Sequence, residues 1–438
     1  MILCPKQTRK ELIMQRANTQ RILIHIILLI IVSASSILSQ EFTPTYKWTG
    51  EVRLRGEVDG RDFDKTTPPN AYTVSRIRLG LEAIPVENVR VFIQTQDSRV
   101  FGTESDATGF NTLADSKNLD LHQGYVEVNQ LFVHELMVRL GRQEMGFGNE
   151  RLVGAVGWHN VGRSFDGALF RLNFDDIKVD AFAMTTGKTQ TNPAVATPAA
   201  VAYTRDAGQR FFGVNTTVKS VKDHPMDFYF FYQWNRHQTV VNEDDLKRFT
   251  VGTYQKGTFD VVDYEAEFAY QVGTIRGTDV SAFLLSANLG YAFASSILSR
   301  IAVGCDYLSG TPTGDTKYKA FDPMYHTGHK FYGFMDYFIN IPTNTGNRGL
   351  IDLYARTTLK ISDQMDGNLW VHQMALAQEV NGENGLGQEI DLTGLYRYNK
   401  AVKFEMGLAA FIPGVLVRQS FGHPDVGYWG YLATTVSF

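Results

Sequence analysis

The sequence predicts an all-β protein, a transmembrane antiparallel up-and-down β-barrel of about 18 strands. Three observations predict it. Apolar and charged residues alternate with period two in one segment after another. The gaps between those segments alternate in length, short then long. The chain then closes on a strand-like run, Tyr431–Phe438, in which Leu432, Thr434, Val436 and Phe438 fall on one face.

The alternation begins soon after Gln40. Val52, Leu54 and Gly56 alternate with Glu51, Arg53, Arg55 and Glu57, and Ile77, Leu79 and Leu81 alternate with Arg76, Arg78 and Glu82. The same two-faced pattern recurs over Val89–Gln96, Val262–Gln271, Ile351–Arg356 and Val402–Leu408. One greasy face and one charged face is the pattern of a wall with lipid on one side and water on the other. In Leu119–Leu131 and Val371–Gln378 the faces are ambiguous. Short turns fall near Ile84–Glu87, Gln130–Val133, Asp175–Asp176, Lys222–Pro225, Gly257–Phe259, Phe293–Ser295, Ser362–Gln364 and Asn399–Lys400. Between them lie longer stretches, among them Asp59–Asn70, Val100–Asn118, Glu144–Gly162, Lys188–Ala207, Gly310–Asn347 and Ile412–Val426. A soluble sandwich explains the alternation but gives no reason for gap lengths to alternate. A barrel does, with short periplasmic turns on one rim and long outer loops on the other.

The two ends fit export to a membrane. Basic residues in Arg9–Arg21 precede the apolar Ile22–Val32, which gives way to the small and polar Ser33–Ser39. This reads as a signal peptide over residues 1–39, starting at Met1 or Met14, followed by a barrel over 40–438. The apolar stretch is too short for a spanning helix, which needs roughly 20 residues. Cys4 precedes the apolar stretch, so Cys305 is the one cysteine left after processing and an intrachain disulfide is excluded there. A closed hydrogen-bonded barrel supplies stability without one. The closing strand resembles the C-terminal signature of bacterial outer-membrane barrels. That resemblance implies recognition by the barrel-assembly machinery through the strand ending at Phe438. Aromatics at strand ends, such as Tyr46, Trp48, Phe228–Trp234, Tyr396, Tyr428, Trp429 and Tyr431, fit a membrane interface. With 42 basic against 46 acidic residues and no basic block, nothing points to nucleic acid.

Function in such a wall belongs to its inner face. If Val52 and Leu54 meet lipid, then Arg53 and Arg55 face the lumen, and the same parity turns Arg76, Arg78, Arg90, Arg139, Arg171, Arg248, Arg300, Arg356 and Arg397 inward. Acids join them, including Glu51, Glu57, Glu82, Glu127, Asp306, Asp352, Asp391 and the strand Asp263–Glu267. The early arginines and that acidic strand would face each other across the ring and set a transverse field on a passing solute. Guanidinium forks in a lumen suit carboxylates. The alternative use is lateral pairing that holds the wall together.

The most distinctive segment runs from Arg139-Leu-Gly-Arg142 through a Gly-rich loop containing Glu144, Asn149, Glu150, Arg151 and Trp158 to Arg163-Ser-Phe-Asp-Gly167. Its glycines allow a tightly folded, inward loop. Together with Leu121-His-Gln-Gly-Tyr125 and Arg53-Leu-Arg55 it resembles the outer-membrane alginate-export family, most specifically over Tyr46–Gly187. The resemblance implies a monomeric eighteen-stranded barrel that passes an anionic polysaccharide through a constriction lined by arginines, here Arg53, Arg55, Arg139, Arg142, Arg151 and Arg163. The acidic strand departs from a simple polyuronate path.

The expectation is a passive outer-membrane channel for anionic or polar saccharide-like solutes. Arg53, Arg55, Arg76, Arg78, Arg139, Arg142, Arg151, Arg163, Arg171 and Arg356 would line its pore, and Glu144, Asn149, Glu150 and Trp158 would form its constriction loop. Its partners would be membrane lipid and the solute, with no cofactor and no metal. A general diffusion or anion porin is the alternative; a hydrolase using Ser164, His159 and Asp166, or an adhesin using Gly310–Asn347, is a weaker one. His326, His329 and Asp322 lack the pattern of a metal site and read as loop polarity.

Overall fold

The computed structural model describes residues 42–101, 117–187, 208–236, 244–294 and 297–438; the expected signal peptide lies outside them. The chain forms one closed antiparallel sheet of eighteen strands. The first nine are β1 (Thr45–Gly60), β2 (Asn70–Val86), β3 (Val89–Val100), β4 (Lys117–Val128), β5 (Leu136–Gln143), β6 (Phe165–Asn173), β7 (Ile177–Gly187), β8 (Gln209–Val218) and β9 (Met226–Arg236). The rest are β10 (Asp244–Phe259), β11 (Val262–Ile275), β12 (Thr278–Ala292), β13 (Leu298–Leu308), β14 (Leu350–Lys360), β15 (Met365–Val380), β16 (Glu383–Arg397), β17 (Val402–Pro413) and β18 (Gly427–Ser437). Each strand pairs with its sequence neighbours, and β1 also pairs with β18, from Glu51↔Ser437 to Gly60↔Tyr428. That closure leaves no edge, the condition for a sheet to stand in lipid. Two short helices, α1 (Ile341–Asn344) and α2 (Val415–Phe421), sit in outer loops.

The wall has the faces its alternation predicts. Leu54, Val58, Ile77 and Leu79 are exposed on the outside, while Arg53, Arg55, Glu57 and Arg76 are buried within. On β18, Tyr428, Leu432 and Phe438 point out. Trp429 and Tyr431 do not: they fall on the opposite face and pack in the lumen against Trp158, with ring centroids 5.8 and 4.7 Å away. These two rings are therefore not part of an interface belt. The two ambiguous segments also resolve. In β4 the register against β3 shifts beside His122, which breaks the alternation. In β15, Val371 is exposed while His372 and Met374 are buried, so the even-numbered side chains face inward.

Among the described outer loops, residues 144–164 and 309–349 fold into the barrel. The cause is apolar content with no lipid to face. Met145, Leu152 and Val153 of the first loop, with Phe147, pack on an interior cluster built from Phe165, Phe182, Phe211, Tyr229 and Phe231. Phe147 stacks 5.5 Å from Phe182, and Phe182 lies 4.9 Å from Phe211. Phe321, Met335, Phe338 and Ile341 of the second loop are buried in the same continuous cluster.

A lumen bridged by two inward loops

The two loops are bonded to each other as well as to the wall. Gly154 N donates to Tyr325 O at 2.9 Å and Tyr325 N to Leu152 O at 2.9 Å, an isolated parallel bridge at Val153↔Tyr325, and Thr327 N donates to Glu150 O at 3.0 Å. Thr327 Oγ1 donates to Glu150 Oε2 at 2.6 Å, and Lys330 Nζ donates to Asn149 O at 2.8 Å. Arg163 donates to the carbonyls of Gly154, Tyr325 and His326. Burial holds its guanidinium below the ordinary arginine value. The expected loop residues thus hold two loops together in a strap across the lumen.

At one end the strap meets the early arginines. Arg53 donates to Gly157 O at 3.0 Å and His159 O at 3.3 Å, and Arg55 donates to Trp158 O at 2.9 Å. Arg76 donates to the same two carbonyls, Gly157 O at 2.9 Å and His159 O at 3.0 Å, and Arg78 Nη2 lies 3.4 Å from Val161 O. Arg55 also pairs with Glu57 at 2.6 Å, Arg76 with Glu51 at 2.7 Å and Arg78 with Glu144 at 3.3 Å. Arg53 has no carboxylate partner among the described residues. Trp158 lies 4.0 Å under the Arg55 guanidinium and stacks 4.1 Å from His329. Burial pushes Glu144 up, but His122 Nε2 at 2.7 Å and Arg78 outweigh it and hold the carboxyl below its ordinary value.

At the other end the strap meets the acidic wall. Arg151 is buried, pairs with Asp306 at 2.5 Å and lies 3.4 Å from Glu267. Burial alone would lower Arg151, but Asp306 and then Tyr332 and Glu267 hold it well above the ordinary value. Asn149 bonds Glu265, and Arg300 pairs with Asp263 at 2.6 Å. The acidic strand is therefore matched by cations and an amide of the lumen. Glu389 and Asp391 of β16 accept backbone N–H groups of loop 309–349: Met335 N at 2.7 Å and Phe334 N at 3.4 Å. A Cβ at the preceding Gly333, whose φ is +86°, would run into the Glu389 carboxyl, so only glycine lets the loop come this close.

Other expected pore residues serve the wall. Arg139 pairs with Glu127 at 2.5 Å, and Arg171 with Asp180 at 2.5 Å. Arg142 corrects the expectation. It pairs with Asp166 at 2.7 Å on the outer face of β6, opposite the buried Phe165 and Leu169. Residues three apart on a strand face opposite sides, so Arg139 and Arg142 cannot share the lumen. Ser164 donates to His122 O at 2.6 Å while Asp166 turns to Arg142, so Ser164, His159 and Asp166 form no working constellation. Among the described residues no group of His, Cys, Asp and Glu has metal-site geometry.

Arg356 differs. Its guanidinium lies 4.7 Å over the Trp370 ring, one Nη donates to Asn368 Oδ1 at 3.0 Å, and its buried Nε has no partner among the described residues. It faces a cavity of about 440 Å³ of mixed charge, lined by Arg300, Lys330, Trp370 and His372 and by the carboxylates Glu265, Asp306 and Asp352. Thr358 and Trp370 lie toward the short-turn ends of β14 and β15, and Asn149, Lys330 and Phe331 of the strap bound the cavity from the other side. Trp370, Asn368 and Lys330 were missed in the sequence; the inward parity of β15 was the available signal for the first two.

The family model for alginate export matches residues 44–425. The chain belongs to the alginate export family. This alginate export family member is also similar in structure to Acinetobacter baumannii OccAB4, with a TM-score of 0.60, 9% identity, and coverage of 90% of this chain and 98% of that one. Pseudomonas aeruginosa OccK3 (OpdO) aligns with a TM-score of 0.59 at 11% identity, over 90% of this chain and 96% of that one. The outer-membrane protein OpdK of the same organism gives 0.57 at 10%, over 90% and 98%. A comparison with curated protein sequences gives no match. The alginate export family member is thus a porin-like channel of the Gram-negative outer membrane.

Proposed function

We propose that this channel passively conducts anionic or polar saccharide-like solutes, selected by lumenal guanidinium groups. One observation carries the reading: Arg356 stacked on Trp370 beside a cavity that also meets Arg300 and Lys330. A guanidinium with no ion pair among the described residues suits a carboxylate, and an indole beside it suits the apolar face of a sugar ring. The early arginines support the same reading less directly, because their N–H groups are turned to loop carbonyls. No catalytic step is proposed.

Planar-bilayer recording tests this. An oligouronate should block the current at lower concentration than a neutral oligosaccharide of equal length. Arg356→Ala should weaken the oligouronate block about tenfold, the worth of one charge-assisted contact. Equal block by both sugars in the unaltered protein would instead mark a general diffusion porin.

A further inference from the structure

We propose that the outward face of β8–β10 at the outer rim binds the phosphate of an anionic glycolipid of the surrounding leaflet. Arg210, Trp234 and Lys247 are direct cross-strand partners, so they form one row across three strands. Phe211, Phe231 and Gln233 on the same strands are buried inward, which turns Arg210, Trp234 and Lys247 to the outside. The next row toward the periplasm is Phe212, Tyr232 and Phe249, with Tyr232 and Phe249 stacked at 4.4 Å. Below it come Val214, Phe230 and Val251, all exposed. The cations therefore stand one residue pair above an aromatic row and two above a wholly apolar one, the level of lipid headgroups.

Among the described residues, the row's two cations, Arg210 and Lys247, meet a single carboxylate, Asp244. The guanidinium of Arg210 lies 4.7 Å over Trp234, and that of Arg236 5.8 Å from the same ring. Asp244 pairs with Lys247 at 2.6 Å and accepts the Trp234 Nε1–H at 2.7 Å. Arg210 makes no ion pair among the described residues. Two other outward cations of this rim each have a carboxylate, Arg99 with Asp97 at 2.7 Å and Arg142 with Asp166 at 2.7 Å. A phosphate monoester, with up to two negative charges and three acceptor oxygens, complements the excess on β8–β10. The face is turned to lipid, so a headgroup and not a soluble anion is its occupant. Clustered cations at a membrane boundary attract anionic headgroups in this way.

Native mass spectrometry of the detergent-purified full chain tests the site with three probes: a bisphosphorylated acylated diglucosamine lipid, its dephosphorylated form, and inorganic phosphate. The phosphorylated lipid should bind, and Arg210→Ala with Lys247→Ala should weaken it about tenfold or more. Lys222→Ala with Lys360→Ala, the same charge loss at exposed positions of the opposite rim, should leave binding unchanged. Unaltered conductance establishes that the double variant is folded; should it fail to insert, Lys247→Ala alone should show a several-fold loss. Equal binding by parent and variant, or equal affinity for the dephosphorylated lipid, overturns the proposal. Competition by millimolar inorganic phosphate would also overturn it, in favour of a free-anion site.

Discussion

At the scale of single residues, Arg53 is the sharpest case. It lies on the lumenal face as its parity with Val52 and Leu54 requires, yet it donates to Gly157 O and His159 O and meets no carboxylate among the described residues. Charged hydrogen bonds of this kind are worth roughly 1.5–3 kcal/mol each. Arg53→Ala combined with Arg55→Ala should therefore release residues 157–161 from β1. Single-channel conductance should rise, with more frequent fluctuations, and the reversal potential in a salt gradient should show lower anion preference. Arg53→Lys should be intermediate, since one ammonium cannot span both carbonyls. Unchanged conductance and reversal potential would leave these arginines without a role in the pore. The sequence made their facing legible because period two leaves no choice. It could not tell that carbonyls more than a hundred positions away would occupy them. Arg142 was misplaced for the opposite reason: a motif was followed where parity already ruled.

At the scale of elements, loops 144–164 and 309–349 are joined by backbone hydrogen bonds inside the barrel. His326 sits in the second, buried, with neither ring nitrogen hydrogen-bonded among the described residues. Burial, and then the nearby Arg163, push its pKa down to about 4, with Asp322 and Asp336 opposing and Arg151 adding. The docked loop thus holds His326 neutral, whereas a released loop would protonate it near 6.5. Docking is fully stable above about pH 6.5, weakens as pH falls toward 4, and loses no more to this group below that. The full difference is roughly 3 kcal/mol. Conductance should therefore rise on acidification through that window, and His326→Gln should flatten the response; an equal response in the variant would assign it to carboxylates instead. The docking itself was half legible. Leu152, Val153, Phe321, Met335, Phe338 and Ile341 are apolar residues in what read as outer loops, a signal that such loops turn inward. Which wall they meet depends on pairings such as Arg151 with Asp306, remote in sequence and invisible to local pattern.

At the scale of the whole molecule, the strand count and the short-long rhythm of connections were readable because a lipid-facing wall imposes them on every hairpin. Register was not, since it depends on where β18 meets β1. That seam ends at Phe438, whose N–H donates to Gly50 O at 3.0 Å and whose carbonyl accepts from Gly50 N at 2.8 Å. The Phe438 ring lies over Gly50, where an added Cβ would collide with it. An unpaired backbone group in lipid costs several kcal/mol, so the last residue of the chain has a direct part in closure. Deleting Phe438, or replacing Gly50 by Val, should lower the fraction of chains that reach the heat-modifiable barrel form by several-fold, in cells and in detergent refolding alike. Phe438→Tyr should be tolerated, because it keeps both hydrogen bonds and the ring. A deletion that fails only in cells would mean that Phe438 serves recognition by the assembly machinery rather than the seam. A deletion without effect in either setting would show that β18 closes the ring without Phe438.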